Sequence, residues 1–191
     1  FLNMFDLKGD VDDLVEKRLE LIKKAFSDPK SIKPIVGLYD ILNFLKRKGL
    51  KIAMASSSYK DYANNILSVL KIKDFFDFVI TGDQIINGKP FPDIFLKAAE
   101  GLGLDAKDCV VIEDSLNGLV AAKSANTKTI ALTTDFDERY LKDGDLIVEN
   151  LSMVILKFNN IDESGILPIM PIKLFFEKEK KYKNVKISVA K

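Results

Sequence analysis

The stretch Val110-Val111-Ile112-Glu113-Asp114-Ser115-Leu116-Asn117-Gly118 decides how this chain folds. A wholly apolar run of strand length is closed by two carboxylates, and residues 115–125 then carry a helical pattern. The alternation continues in both directions. Upstream, 51–55 is a short apolar strand, 60–70 a helix, 78–81 a strand, and 93–101 a helix with Gly103 in the turn after it. Downstream, 129–132 is a strand, 143–148 a turn and short strand, and 151–158 a helix. Strand and helix in turn predict an α/β fold, a three-layer Rossmann-like core with a parallel sheet covered on both faces. Chemistry in such sheets gathers at the carboxyl ends of the strands. Ser56-Ser57-Ser58 and Glu113-Asp114 stand there.

Two helices precede this core. Residues 9–27 carry a rough apolar stripe of Leu14, Leu19, Leu21, Ile22 and Phe26, with Asp10, Asp12 and Asp13 near the end where the helix dipole favours them. Residues 38–48 place Leu38, Ile41, Leu42 and Leu45 on one face and end at Gly49, a C-terminal cap. From about Asp162 the character changes. Leu167-Pro168-Ile169-Met170-Pro171 is followed by a charge run from Glu177 to Lys183, and then Val185, Ile187 and Val189 alternate like an edge strand.

Composition narrows the function. The 191 residues are 47% hydrophobic and 30% charged, as in an ordinary globular protein. Basic and acidic residues, 29 against 28, leave no footprint for nucleic acid. The absence of histidine excludes triads and zinc sites built on imidazole. The single cysteine, Cys109, excludes an internal disulfide and suits a reducing cytoplasm. Its place before an apolar run predicts a buried, inert thiol. No apolar stretch approaches the roughly 20 residues of a membrane span, and no signal peptide is visible. Neither nucleic acid nor membrane is an expected partner, and a monomer is expected. Because the chain begins with Phe1, a processed or truncated start is expected, although Met4 is an alternative first residue.

Three places carry candidate chemistry. Ser56 follows a buried strand and precedes a helix, so its hydroxyl and the amides of the next turn can hold a phosphate oxygen. The three serines would serve equally as helix caps. Lys89 lies in Asn87-Gly88-Lys89-Pro90, where prolines fix the backbone and aim the ammonium group. A lone loop lysine is otherwise an exposed one. Glu113 and Asp114 at a strand end are acceptable beside a divalent cation, and magnesium needs only one or two protein carboxylates. The alternative is that Asp114 caps the helix beginning at Ser115. Gly118 would let that helix pack closely on the sheet.

Taken together and in order, these stretches resemble the second, third and fourth motifs of the haloacid dehalogenase-like (HAD) superfamily, in its beta-phosphoglucomutase-like and sugar-phosphatase branch. Ile52 to Ser58 is similar to the second motif. Thr81-Gly82-Asp83 through Gly88-Lys89-Pro90-Phe91-Pro92-Asp93-Ile94-Phe95 is similar to the third, and Val110 to Gly118 to the fourth. The resemblance covers roughly residues 9–158. It divides the chain into 1–32, the end of an α-helical cap; 33–160, the core; and 161–191, an extension of unknown role. It implies that Ser56 binds the transferring phosphoryl group, helped by the Ser57 amide, and that Lys89 balances its charge. It further implies that Asp114 places Mg2+ with Glu113 beside it, and that Ser58 and Lys60 contact phosphate on the substrate. The implied activity is magnesium-dependent transfer or hydrolysis of a phosphoryl group on a small phosphorylated metabolite, such as a sugar phosphate.

One part of the pattern is missing. The family begins with a strand ending in Asp-x-Asp, whose first aspartate is the nucleophile and whose second is the general acid and base. Asp6 to Asp10 has the wrong spacing, and Asp135-Phe136-Asp137 falls where the family has an ordinary loop. The missing strand belongs between those ending at Ser56 and Asp114. Without it two buried strands would each show unpaired backbone groups, at on the order of 1–3 kcal/mol apiece. A separate segment, closure of the sheet, or the tail with Val185, Ile187 and Val189 could fill the place; a separate segment is the favoured expectation. The chain as it stands is expected not to turn over substrate. A catalytically dead remnant that binds phosphate or a partner protein is the competing expectation.

Overall fold

Leu38, Ile41, Leu42 and Leu45 recur at helical spacing, and all four are buried on one side of helix α1 (Leu38–Arg47). Gly49, with φ of 70°, follows the last turn, as its reading as a cap requires. Truncating the fully buried Leu42 to alanine would cost about 2–5 kcal/mol. The structure is a computed structural model that describes residues 13, 14, 16, 17, 20, 21, 24, 28–134, 136, 138–158 and 167–170. After α1 come β1 (Ala53–Ser56), α2 (Lys60–Val69), β2 (Phe78–Thr81), α3 (Asp93–Leu102) and β3 (Cys109–Glu113). Then follow α4 (Leu116–Ser124), β4 (Lys128–Leu132), α5 (Glu138–Leu141), β5 (Leu146–Val148), α6 (Leu151–Phe158) and β6 (Leu167–Met170).

Among the described residues six strands form one parallel sheet in the order β2-β1-β6-β3-β4-β5. Alternation along each strand sorts the core into two layers. Met54, Val110, Ile112, Ile130 and Leu132 pack against α1, α2 and α6. Ala53, Ala55, Cys109 and Val111 pack against Ile94, Phe95 and Ala98 of α3 and Ala121 and Ala122 of α4. This is the three-layer α/β architecture that the sequence predicts.

The central place is filled by the tail. Strand β6 pairs Ile169 with Ala53 and Met170 with Met54 on one side. On the other it pairs Leu167, Pro168 and Ile169 with Cys109, Val110 and Val111. The expectation leaned to a separate segment here, and the tail residues expected to pair were Val185, Ile187 and Val189. Those three lie outside the described residues, and Leu167–Met170 takes the place. The cause is the one foreseen: buried amides and carbonyls of β1 and β3 need partners. Pro168 brings no N–H, so the ladder lacks one donor at that step.

Exposed carboxylates tie down the amino ends of two strands. Asp77 Oδ2 accepts the Ile52 N–H at 2.7 Å and pairs with Lys46 Nζ at 2.8 Å. Burial acts to raise the Asp77 carboxyl, but the hydrogen bonds from Lys46 and Ile52 and the Lys46 charge outweigh it and hold it below its ordinary value. Asp145 Oδ2 accepts the N–H and hydroxyl of Thr129 at 2.8 and 2.7 Å. Cys109 is buried, and burial, with Asp108 and Asp105 nearby, pushes its thiol up to about 11, which makes it inert. The described residues between 13 and 24 are helical; of the stripe expected there, Leu14 and Leu21 are exposed and the others lie outside the described residues. Among the described residues no helix is long and apolar enough to cross a membrane.

Candidate active site

Ser56 is the last residue of β1 and is buried. Its Oγ accepts the Ser58 N–H at 3.0 Å, which folds the chain into a tight turn before α2. Helix α2 takes Tyr59 as its N-cap with no side-chain capping bond, so the serines are not there to cap it. The Ser58 carbonyl accepts the Gly82 N–H at 3.0 Å, and the Lys60 N–H donates to Asp83 Oδ1 at 3.1 Å. The Ser57 amide donates to no acceptor among the described residues.

Lys89 is aimed, as its proline-flanked turn predicts. Phe91 N–H donates to the Gly88 carbonyl at 3.0 Å, and Asn87 Nδ2 donates to Asp93 Oδ1 at 3.0 Å, closing the turn from both sides. Lys89 Nζ then lies 2.7 Å from Glu113 Oε2 and 4.7 Å from the centre of the Phe95 ring. With side-chain exposures of 7% and 1%, the ion pair is removed from solvent.

Glu113 and Asp114 part company. Glu113 stays in step with Val111 and faces α3 and α4, because neighbouring residues of a strand point to opposite faces. Its Oε1 accepts the Ser115 hydroxyl at 2.7 Å and the Ser115 N–H at 3.2 Å, while Oε2 takes Lys89. Glu113, expected beside Asp114 in a cation site, is the carboxylate that pairs with Lys89 in the structure. Ser115, not Asp114, caps α4, accepting the Gly118 N–H at 3.1 Å. Asp114 is buried, and its Oδ2 accepts the Thr134 hydroxyl at 3.3 Å.

The sheet register brings these groups to one edge. Ala53 pairs with Ile169, and Ile169 with Val111. Ser56 and Asp114, each three residues further on, therefore come level, two strand spacings apart, or about 9–10 Å. Lys89 reaches the same edge through Glu113. Among the described residues no three His, Cys, Asp or Glu side chains gather to hold a metal. Asp114 alone fits as one ligand of magnesium, which keeps several waters and completes its shell with phosphate oxygens. Lys60 and Ser58 sit on the turn, with Lys60 exposed. Thr134, Ser115 and Asp83 hold the site residues and were given no role from the sequence; the Ser115-to-Gly118 capping spacing was a usable signal, Asp83 stood within the third motif, and Thr134 had none.

Residues 2–132 match the model of a family described as haloacid dehalogenase-like hydrolase. The phosphorylated carbohydrates phosphatase of Thermotoga maritima is 31% identical over 156 residues, which is 82% of this chain and 69% of that protein. The chloroplastic protein SUPPRESSOR OF QUENCHING 1 of Arabidopsis thaliana is 38% identical over 164 residues, 85% of this chain but only 15% of that protein. The crystal structure of a beta-phosphoglucomutase from Clostridium difficile superposes with a TM-score of 0.60 at 31% identity, covering 74% of this chain and 61% of that one.

Proposed function

The chain belongs to the haloacid dehalogenase-like hydrolase family, and we propose that its carboxyl edge is the phosphate site of a magnesium-dependent phosphatase or phosphomutase acting on a small phosphorylated metabolite, such as a sugar phosphate. The observation that carries this reading is the buried Lys89–Glu113 pair at the edge where Ser56 and Asp114 end level. In this reading Ser56 Oγ and the Ser57 amide hold the phosphoryl oxygens, and Lys89 neutralises their charge from a fixed position. Ser58 and Lys60 meet a second phosphate or the substrate's own. Asp114 holds the cation, which when bound would offset phosphoryl charge. A reducing cytoplasm suits the single buried thiol.

A second reading has its own support. The strand between β1 and β3 is Leu167-Pro168-Ile169-Met170, which carries no carboxylate. In this reading the described residues place no carboxylate nucleophile beside Ser56, and the chain acts as a phosphate-binding remnant. Incubating the chain with magnesium and a panel of sugar phosphates separates the two readings. No release of inorganic phosphate supports the remnant, and magnesium-dependent release supports the intact enzyme.

A further inference from the structure

The turn from Ser56 to Lys60 is held from outside by the turn after β2. Gly82 donates its N–H to the Ser58 carbonyl at 3.0 Å, and Asp83 Oδ1 accepts the Lys60 N–H at 3.1 Å. The two contacts bracket Ser58 and Tyr59. They also set the direction of the turn, because a β-carbon on Gly82 would run into the Ser57 carbonyl. The clamp is itself braced. Gln84 Oε1 accepts the Thr81 N–H and hydroxyl at 3.1 and 2.7 Å, fixing the start of residues 82–84 against the end of β2. The Asp83 carboxyl lies below its ordinary value, held there by the Thr81 side chain against the opposing effect of burial, and then by its own and the Lys60 N–H. It is therefore an anion at neutral pH. A carboxylate beside an anion site would repel the ligand if it faced it. Its acceptor is instead engaged by the first amide of α2.

We infer that Asp83, together with Gly82, is a positioning residue for the phosphate-binding turn. The inference rests on the reading of Ser56 and Ser57 as phosphate ligands. With the Ser58 amide taken by Ser56 Oγ and the Lys60 amide by Asp83, the clamp leaves the Ser57 amide, with that of Tyr59, among the backbone donors available to an anion. Asp83 thus acts through Ser57 and touches no ligand.

The test is titration of the full chain with inorganic phosphate, alongside amide exchange measured by NMR. Asp83→Ala is expected to weaken phosphate binding on the order of tenfold, the worth of about one hydrogen bond, and to speed exchange of the Lys60 amide. Asp83→Asn keeps the accepting oxygen and is expected to restore both. Asp145→Ala removes a comparable brace at the far edge of the sheet and is expected to lower stability while leaving phosphate affinity unchanged. Gly82→Ala, which displaces the Ser57 carbonyl, is expected to weaken binding as Asp83→Ala does. A wild-type chain that binds phosphate while Asp83→Ala binds it equally well overturns this inference alone. A wild-type chain that binds none overturns it together with the proposed function.

Discussion

Gly118 sits directly over the carboxyl group of Glu113, so close that a β-carbon on it would overlap the Glu113 side chain. The glycine is therefore a condition for the ion pair beneath it, beyond the close packing of helix on sheet that the sequence suggests. Gly118→Ala is expected to destabilise the chain, although alanine is the better helix former by about 1 kcal/mol in a helix interior. It should also displace Glu113 and release Lys89. Thermal unfolding and phosphate affinity should fall together; a rise in stability would mean that Glu113 is not held where the structure has it.

Lys89 and Glu113 should behave as a unit. Removing one member leaves a buried charge without its partner, which costs about 3–5 kcal/mol. Lys89→Met and Glu113→Gln are each expected to lose stability on that scale. The double variant should recover much of it, because no buried charge remains. It should not recover phosphate binding. A double-mutant cycle in urea checks this, and additive losses would show that the two side chains do not interact.

The tail strand gives a third expectation. Deleting residues 159–191 removes β6 and exposes the facing edges of β1 and β3, with unsatisfied groups at about 1–3 kcal/mol each. The shortened chain should be much less stable and prone to associate through those edges. If denaturant unfolding finds it as stable as the full chain, β6 is not what completes the sheet.

Acid should act through Asp77. Its folded carboxyl lies below the ordinary value of 3.8, so its contribution is present above that value and is lost as pH falls through the lower folded value. Asp77→Asn should be less stable than wild type at pH 7, by a modest amount because the pair is partly exposed, and the gap should close below about pH 4. Urea midpoints measured across pH read this directly. A gap that widens in acid would reverse the assignment.

Much of the fold was legible because its signals are local. Apolar runs such as Val110 to Ile112 end in polar clusters, and the helices between them carry their own caps and periodicity. Ser56, Lys89 and Asp114 were legible for the same reason, each lying at a strand end or in a proline-fixed turn. Glu113 and Asp114 look like a pair in sequence, and the contact of Glu113 with Lys89 becomes visible only once strand alternation sets its direction. Strand β6 was hidden because four residues containing Pro168 argue against a central strand, and only the need of β1 and β3 for partners places it there. Asp83 was hidden because an exposed aspartate in a turn reads as surface until its acceptor is seen on the Lys60 amide.

The most direct test of the account is calorimetric titration of inorganic phosphate, with and without magnesium, into wild type, Ser56→Ala, Lys89→Met and Asp114→Asn. One shared site predicts binding to wild type that magnesium strengthens. It also predicts at least about tenfold loss in the serine and lysine variants, one charged hydrogen bond or more, and loss of the magnesium effect alone in Asp114→Asn. Equal affinity in all four chains, or no binding in any, would contradict it.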